Sequence, residues 1–84
     1  RLPIPPLTGD RRKDLVKQLK RQTEDARVVV RNLRRDANSL VKDDDDLSED
    51  AVHQGLAQVQ KITDGAIARV DDLSKDKEAE ILEV

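Results

Sequence analysis

Apolar residues recur along this chain in alternating steps of three and four, which is the spacing of one face of an α-helix. In the first half, the positions with this spacing are Leu15, Leu19, Gln22, Ala26, Val30, Leu33, Ala37 and Leu40. In the second half, they are Val52, Leu56, Val59, Ile62, Ala66, Val70 and Leu73. The pattern predicts two long amphipathic helices that pack along a narrow aliphatic seam, with Gln22 as its one polar member in the first helix.

Capping residues and helix breakers locate the ends of these helices. Thr8 and Ser48 each precede a first turn that contains acidic residues, as expected of N-caps. Four consecutive aspartates at 43–46 destabilise the C-terminal end of a preceding helix, where the helix dipole disfavours anions. They therefore indicate a turn. We therefore predict an all-α fold with two antiparallel helices, over about 9–42 and 48–83. Three prolines hold residues 1–7 in a short extended segment before them.

Composition narrows the fold further. The 84 residues include no Phe, Trp, Tyr, Met or Cys, and 40% of them are charged. A core has to be built from aliphatic residues alone, which favours long solvated helices over a compact globule. Disulfides and thiolate metal sites are excluded. Gly55 and Gly65 fall inside the second helix, where they mark either a close approach between helices or tolerated weak points, and we favour weak points.

Charge is distributed unevenly along the chain. Residues 1–42 carry 12 Lys/Arg and 5 Asp/Glu, whereas residues 43–84 carry 4 and 13, so that halves of +7 and −9 give the net charge of −2. A basic half suggests an anionic partner. The alternative is that the two antiparallel helices simply attract each other. We prefer the external partner because the basic residues do not lie along the predicted seam, where such pairing would need them.

The basic residues of the first helix form a stripe on a different face from the seam. Its members are Lys13, Lys17, Lys20, Arg27, Arg31 and Arg34, with Glu24 as the one acid among them. Arginine binds phosphate oxygens in bidentate fashion. Without aromatic residues, bases cannot be stacked as in single-strand recognition, so we expect a structured RNA or a duplex. The alternatives are a merely solvated face, or a structural hairpin that docks an acidic protein; the narrow apolar face makes membrane-surface binding a weak option.

No arrangement typical of an enzyme is present. His53 is the one histidine, and no Cys could join it as a zinc ligand. No serine or threonine has a partner that would activate it, and no glycine-rich phosphate loop occurs. The aspartates at 43–46 lack the spacing, the glycine and the distal glutamate of a calcium loop. We therefore predict a protein that is not an enzyme and that holds neither metal nor cofactor.

Five segments, in order, resemble the ribosome recycling factor family: PPLTGDRRKDLVKQ at 5–18, ARVVVRNLRRDAN at 26–38, LSED at 47–50, QKITDGAI at 60–67 and KDKEAEILEV at 75–84. The second, with its R-N-L-R-R, is the most specific. The resemblance implies an L-shaped protein with a three-helix bundle and an inserted α/β domain. Residues 1–7 would then be the strand and hinge leading back from that domain, and residues 8–84 the bundle without its first helix.

The resemblance also implies a function and a set of contacts. Family members act with elongation factor G and GTP to split post-termination ribosomes into subunits, in the cytoplasm or in the stroma or matrix of organelles. Their bundle contacts large-subunit ribosomal RNA near the peptidyl-transferase region. Matching the motif gives Arg31 and Arg34 as principal RNA contacts, with Arg35, Arg27 and Arg12 in support. Relatives usually have a few more residues between 42 and 47, so the turn here is expected to be shortened or altered.

Two helices that each carry one aliphatic stripe cannot cover both sides of their seam. Because the chain begins with Arg, we expect it to be a fragment or a processed product. By itself it is predicted to be marginally stable, or to self-associate through apolar surface left exposed where the first helix of the bundle would pack.

Overall fold

The computed structural model describes residues 8–83 and consists there of two antiparallel α-helices of equal length. Helix α1 spans Gly9–Lys42 and helix α2 spans Glu49–Leu82, with 34 residues in each. Contacts across the pair join the middle of α1 to the far half of α2, as between Thr23 and Ser74, 2.9 Å apart. The predicted fold class and the predicted bounds of about 9–42 and 48–83 are confirmed to within a residue. The extended segment predicted for residues 1–7 lies outside the described residues.

Side-chain caps explain where each helix starts. The amide of Arg11 donates to Thr8 Oγ1 and the amide of Ala51 donates to Ser48 Oγ, each over 3.1 Å. Both cap residues have extended backbone angles, so each satisfies a first-turn amide that has no partner within the helix. The two predicted N-caps are therefore confirmed.

The aspartates at 43–46 form the predicted turn. The amide of Asp43 caps α1 by donating to the carbonyl of Ser39 over 2.9 Å, and the amide of Asp44 donates to the carbonyl of Val41 over 3.4 Å. Within the turn, the amide of Asp46 donates to Asp44 Oδ1 over 3.0 Å, and the amide of Leu47 donates to the carbonyl of Asp44 over 3.2 Å. One aspartate thus organises the reversal of the chain through its side chain and its backbone.

The seam between the helices contains only part of the stripe that the apolar spacing predicted. Among the described residues, the buried ones are Thr23 and Thr63, each 7% exposed, and no aliphatic residue is buried. Leu33 and Leu40 are 62% and 76% exposed, and Gln22 is exposed as well. The face of α1 that meets α2 is centred on Thr23, about 60° around the helix from the centre of the predicted stripe. The stripe is therefore divided, with one edge in the seam and the other edge outside it.

The hairpin has two chemically different sides. One side, the apolar flank, exposes Val29, Leu33 and Leu40 of α1 together with Ile62 and Leu73 of α2. The other side, the basic flank, is the side of the α1 stripe, where a groove is lined by Lys20, Thr23, Arg27, Asp71, Ser74, Lys75 and Glu78. The basic stripe thus lies opposite the surface that would have to be covered to complete a core.

Gly55 lies at a close approach between the helices, which corrects the preference for a weak point. A Cβ atom built at Gly55 would lie 3.0 Å from Val41 Cγ1, nearer than ordinary van der Waals contact. Gly65 has open space around the same position, so the weak-point interpretation fits there. Val41 therefore packs onto α2 through a gap that a side chain at residue 55 would fill.

Candidate nucleic-acid interface

The regular geometry of α1 brings the arginines of the segment 26–38 to the basic flank. Arg27, Arg31 and Arg34 follow one another at steps of four and three, so they lie on one side of the helix. All three are half-buried, whereas Arg35 is exposed. The helix fixes the spacing of these guanidinium groups, but their partners differ.

Arg27 is bound across the seam. Its Nε and Nη2 atoms donate to Asp71 Oδ1 over 2.8 and 2.6 Å. This bond raises the pKa of Arg27 above its usual value, and burial acts in the opposite direction. The basic first half and the acidic second half therefore pair directly at this point. The predicted seam disfavours such pairing because it places the basic residues elsewhere, and the position of Arg27 corrects that prediction.

Glu24 joins two of the arginines within α1. Its Oε2 accepts from Arg31 Nη2 over 2.7 Å, and its Oε1 accepts from Arg27 Nη1 over 3.3 Å. The hydrogen bond from Arg31 is the main cause that lowers the pKa of Glu24, partly offset by desolvation. The one acid in the basic stripe is therefore a bridge between Arg27 and Arg31, and it neutralises part of their charge.

Arg34 and Arg35 are different, because neither forms a hydrogen bond or an ion pair with any residue in the part of the chain that the structure describes. Guanidinium groups without intramolecular partners keep all five donors for an external anion. Of the five predicted contact residues, these two are the most available.

Arg12, the fifth predicted residue, lies at the open end of the hairpin, where α1 begins and α2 ends. Its Nη1 atom donates to the carbonyl of Ile81 over 2.9 Å and also to the carbonyl of Glu83. These carbonyls lie at the end of α2, where backbone acceptors lack helical partners and the helix dipole favours a cation. The last turn of α2 has no basic residue of its own, so Arg12 supplies the positive charge there.

Asp71 is the residue that the sequence interpretation missed. No signal along the sequence identifies it, because Asp71 comes to Arg27 through the register of the two helices, in which Thr23 lies opposite Ser74. The exposed His53 and the acidic turn add no candidate metal site, because no group of three His, Asp or Glu residues between 8 and 83 is arranged to hold an ion. In the same range, neither helix has an apolar stretch of the length needed to cross a bilayer.

Comparison with known proteins decides the family. The family model described as ribosome recycling factor matches residues 1–82. The chain belongs to the ribosome recycling factor family. Among curated relatives that carry the name ribosome-recycling factor, those of Desulfosudis oleivorans and Listeria welshimeri are each 51% identical, and that of Bacillus licheniformis is 47% identical. The resemblance found from the five segments is confirmed.

These alignments also bear on length. Each covers 100% of this chain but 47% of the relative, so the chain spans about half the length of the ribosome-recycling factors it matches. Each alignment runs over 87 positions against the 84 residues here, so the relatives carry at least three residues that this chain lacks. The expected shortening relative to the family is therefore present, and its place at the 43–46 turn remains a prediction.

Proposed function

We propose that this chain acts in ribosome recycling, as part of a translation factor that splits post-termination ribosomes into subunits together with elongation factor G and GTP. Its role is binding rather than catalysis. The basic flank of α1 binds large-subunit ribosomal RNA, and the hairpin serves as a rigid arm that carries this surface. Membership of the ribosome recycling factor family supports the process, and the unpaired arginines support the surface.

The observation that carries the proposal is the state of Arg34 and Arg35. Both belong to the R-N-L-R-R sequence that is characteristic of the family, and both lack partners among the described residues. An arginine fork on a straight helix can bind two phosphate oxygens without reading the base sequence. A hydrogen bond to a charged group is worth about 1.5–3 kcal/mol, so either arginine alone would be measurable.

The other predicted contact residues contribute to RNA binding to different degrees. Arg31 contributes once it exchanges Glu24 for a phosphate, which replaces one charge-assisted bond by another. Arg27 and Arg12 act mainly by holding the flank in shape, since Asp71 and the end of α2 occupy them. The flank therefore has an outward-facing part at 31–35 and a structural part that precedes it on α1.

We also propose an assignment of domains. Residues 8–84 form the helical-bundle domain without its first helix, and residues 1–7 form the hinge and strand remnant of an inserted α/β domain. The apolar flank supports this division, because its exposed leucines and isoleucine lie where a third helix would complete the bundle. The factor would work in the cytoplasm, or in the stroma or matrix of an organelle.

A splitting assay tests the proposal. Post-termination ribosomes are mixed with elongation factor G, GTP and the full-length chain as its gene encodes it, and the release of subunits is followed by light scattering. Arg34→Ala should slow splitting at limiting factor concentration by about tenfold or more, the loss expected for one charge-assisted bond. Arg21→Ala is the matched control, because Arg21 is an exposed basic residue of α1 outside the stripe and lies about 140° around the helix from Arg34.

Equal effects of the two substitutions would contradict the role of the basic flank. Absence of splitting by the unsubstituted chain would contradict the proposed process. Treatment of a pull-down with ribonuclease addresses the acidic-protein alternative, because docking to a protein should survive it and binding to ribosomal RNA should not.

A further inference from the structure

Along the basic flank, basic residues of α1 and acidic residues of α2 occupy matching positions at intervals of seven residues. Because the helices are antiparallel, a step of seven forward on α1 and seven back on α2 returns to an equivalent position. Starting from Arg27 and Asp71, this step gives Arg34 and Asp64 in one direction, and Lys20 and Glu78 in the other. The three pairs thus occupy equivalent positions on the two helices, one heptad apart.

Two of these pairs contain arginine and aspartate, yet they are in opposite states. Asp71 accepts two hydrogen bonds from Arg27, over 2.6 and 2.8 Å. Asp64 instead accepts from Gln60 Nε2 over 2.8 Å, and Arg34 has no partner in the described part of the chain. The arginine that the family motif makes central is therefore the one that is not paired within the hairpin.

The residue four positions before each aspartate accounts for this difference. Residues four apart on a helix are neighbours on its surface and can bond through their side chains. Gln60 precedes Asp64 by four and has an amide to donate, whereas Ile67 precedes Asp71 by four and has no donor. Asp71 is consequently left for the arginine across the seam, and Asp64 is engaged within its own helix.

We propose that Gln60 is a positioning residue that keeps Arg34 available for phosphate by holding the carboxylate of Asp64. The inference rests on the proposed function, since it concerns the availability of the same basic flank. Gln60 itself touches no RNA in this account. Without its amide, Asp64 pairs with Arg34 as Asp71 pairs with Arg27, and a phosphate has to compete with that pair.

The test gives positions 60 and 64 the residue types found at 67 and 71, which are an isoleucine and, four residues later, an aspartate. Gln60→Ile is made in the full-length chain as its gene encodes it, and its affinity for purified large ribosomal subunits is measured. Gln54→Ile is the matched control, because Gln54 is also exposed on α2 but lies away from the basic flank. We expect Gln60→Ile to weaken binding about two- to fivefold, the range for an exposed ion pair, and Gln54→Ile to leave it unchanged.

Two further measurements separate positioning from a general effect. In an Asp64→Ala background, the substitution Gln60→Ile should no longer weaken binding, because its effect depends on that carboxylate. In the free protein, the Nε–Hε resonance of Arg34 should shift in Gln60→Ile and stay unchanged in Gln54→Ile. Thermal stability should be the same in both glutamine variants, since both positions are exposed.

Unchanged affinity in Gln60→Ile overturns the inference, as does a loss that persists without Asp64. These results leave the proposed function standing as long as Arg34→Ala weakens binding to the same subunits. If Arg34→Ala binds as tightly as the unsubstituted chain, the assignment of the basic flank fails, and the inference fails with it.

Discussion

Two threonines, one in each helix, occupy the most buried positions of the seam, where a leucine or a valine would be expected. Thr23 Oγ1 lies 2.7 Å from the carbonyl of Leu19 and 2.9 Å from Ser74 Oγ. A carbonyl only accepts, so the Thr23 hydroxyl donates to Leu19 and accepts from Ser74. Thr63 Oγ1 donates to the carbonyl of Val59 within its own helix. Thr23 therefore links the helices, whereas Thr63 does not.

Replacing each threonine by valine should separate these roles. Thr23→Val leaves the Ser74 hydroxyl without its partner across the seam and should lower the free energy of unfolding by about 1 kcal/mol. Thr63→Val removes a bond within the helix and adds apolar surface in the seam, so the change should stay within about 0.5 kcal/mol of zero. Urea unfolding of both variants at one protein concentration measures the difference, and equal losses would contradict it.

The pKa of Glu24 depends on its hydrogen bond with Arg31. The hydrogen bond from Arg31 lowers this pKa below the usual 4.5, so the carboxylate favours the folded state above pH 4.5. That contribution should be lost as the pH falls from 4.5 through the lowered value. Carboxyl NMR titration should show the low pKa in the unsubstituted chain and a return toward 4.5 in Arg31→Ala. An unchanged pKa in that variant would contradict the bridge.

The basic stripe and the R-N-L-R-R motif could be predicted from the sequence, but the state of each arginine could not. A stripe follows from spacing along one helix. Whether Arg27 is paired and Arg34 is not depends on the register with α2, and on the side chains at 60 and 67 that engage or leave the acidic partners. Such details arise between helices, where periodicity along one chain gives no information.

At the scale of the element, the capping residues made the helix bounds predictable. Thr8, Ser48 and the acidic turn each act locally, so their effect can be inferred from a few residues. The centre of the seam could not be inferred in this way. An apolar stripe wide enough to contact two neighbouring helices predicts that the helix is packed. It does not predict which edge of the stripe faces which of these helices.

The two glycines of α2 give a matched test at this scale. Gly65→Ala should raise the free energy of unfolding by about 0.5–1 kcal/mol, because alanine is the better helix former and its Cβ meets open space. Gly55→Ala carries the same propensity gain but places its Cβ 3.0 Å from Val41 Cγ1. It should therefore be less stable than Gly65→Ala by about 1 kcal/mol. Equal thermal midpoints would show that the helices do not approach closely at Gly55.

At the scale of the whole molecule, the hairpin is elongated and has no aliphatic residue fully buried among those described. Its radius of gyration is 19.7 Å, whereas a compact chain of this length would have about 12 Å. Leu33, Leu40 and Ile62 remain more than 60% exposed on the apolar flank. Surface of this kind favours association with another helix or another copy.

The 84-residue chain by itself should therefore self-associate or unfold over a broad range of temperature. Sedimentation and thermal unfolding at several concentrations should show dependence on concentration. Replacing Leu33 and Leu40 together by Gln should reduce it, because both side chains lie on the apolar flank and outside the seam. A monomer with a sharp thermal transition that does not change with concentration would contradict this prediction.

If the basic flank binds the phosphates of large-subunit ribosomal RNA, as we propose, its affinity should fall with salt according to the number of phosphates it contacts. The affinity of the full-length chain for large ribosomal subunits is measured from low to high salt, for the unsubstituted chain, Arg34→Ala and Arg21→Ala. Each lost phosphate contact should reduce the slope of log affinity against log salt by about one. We predict that reduction for Arg34→Ala and none for Arg21→Ala; the same slope in all three proteins would contradict the claim.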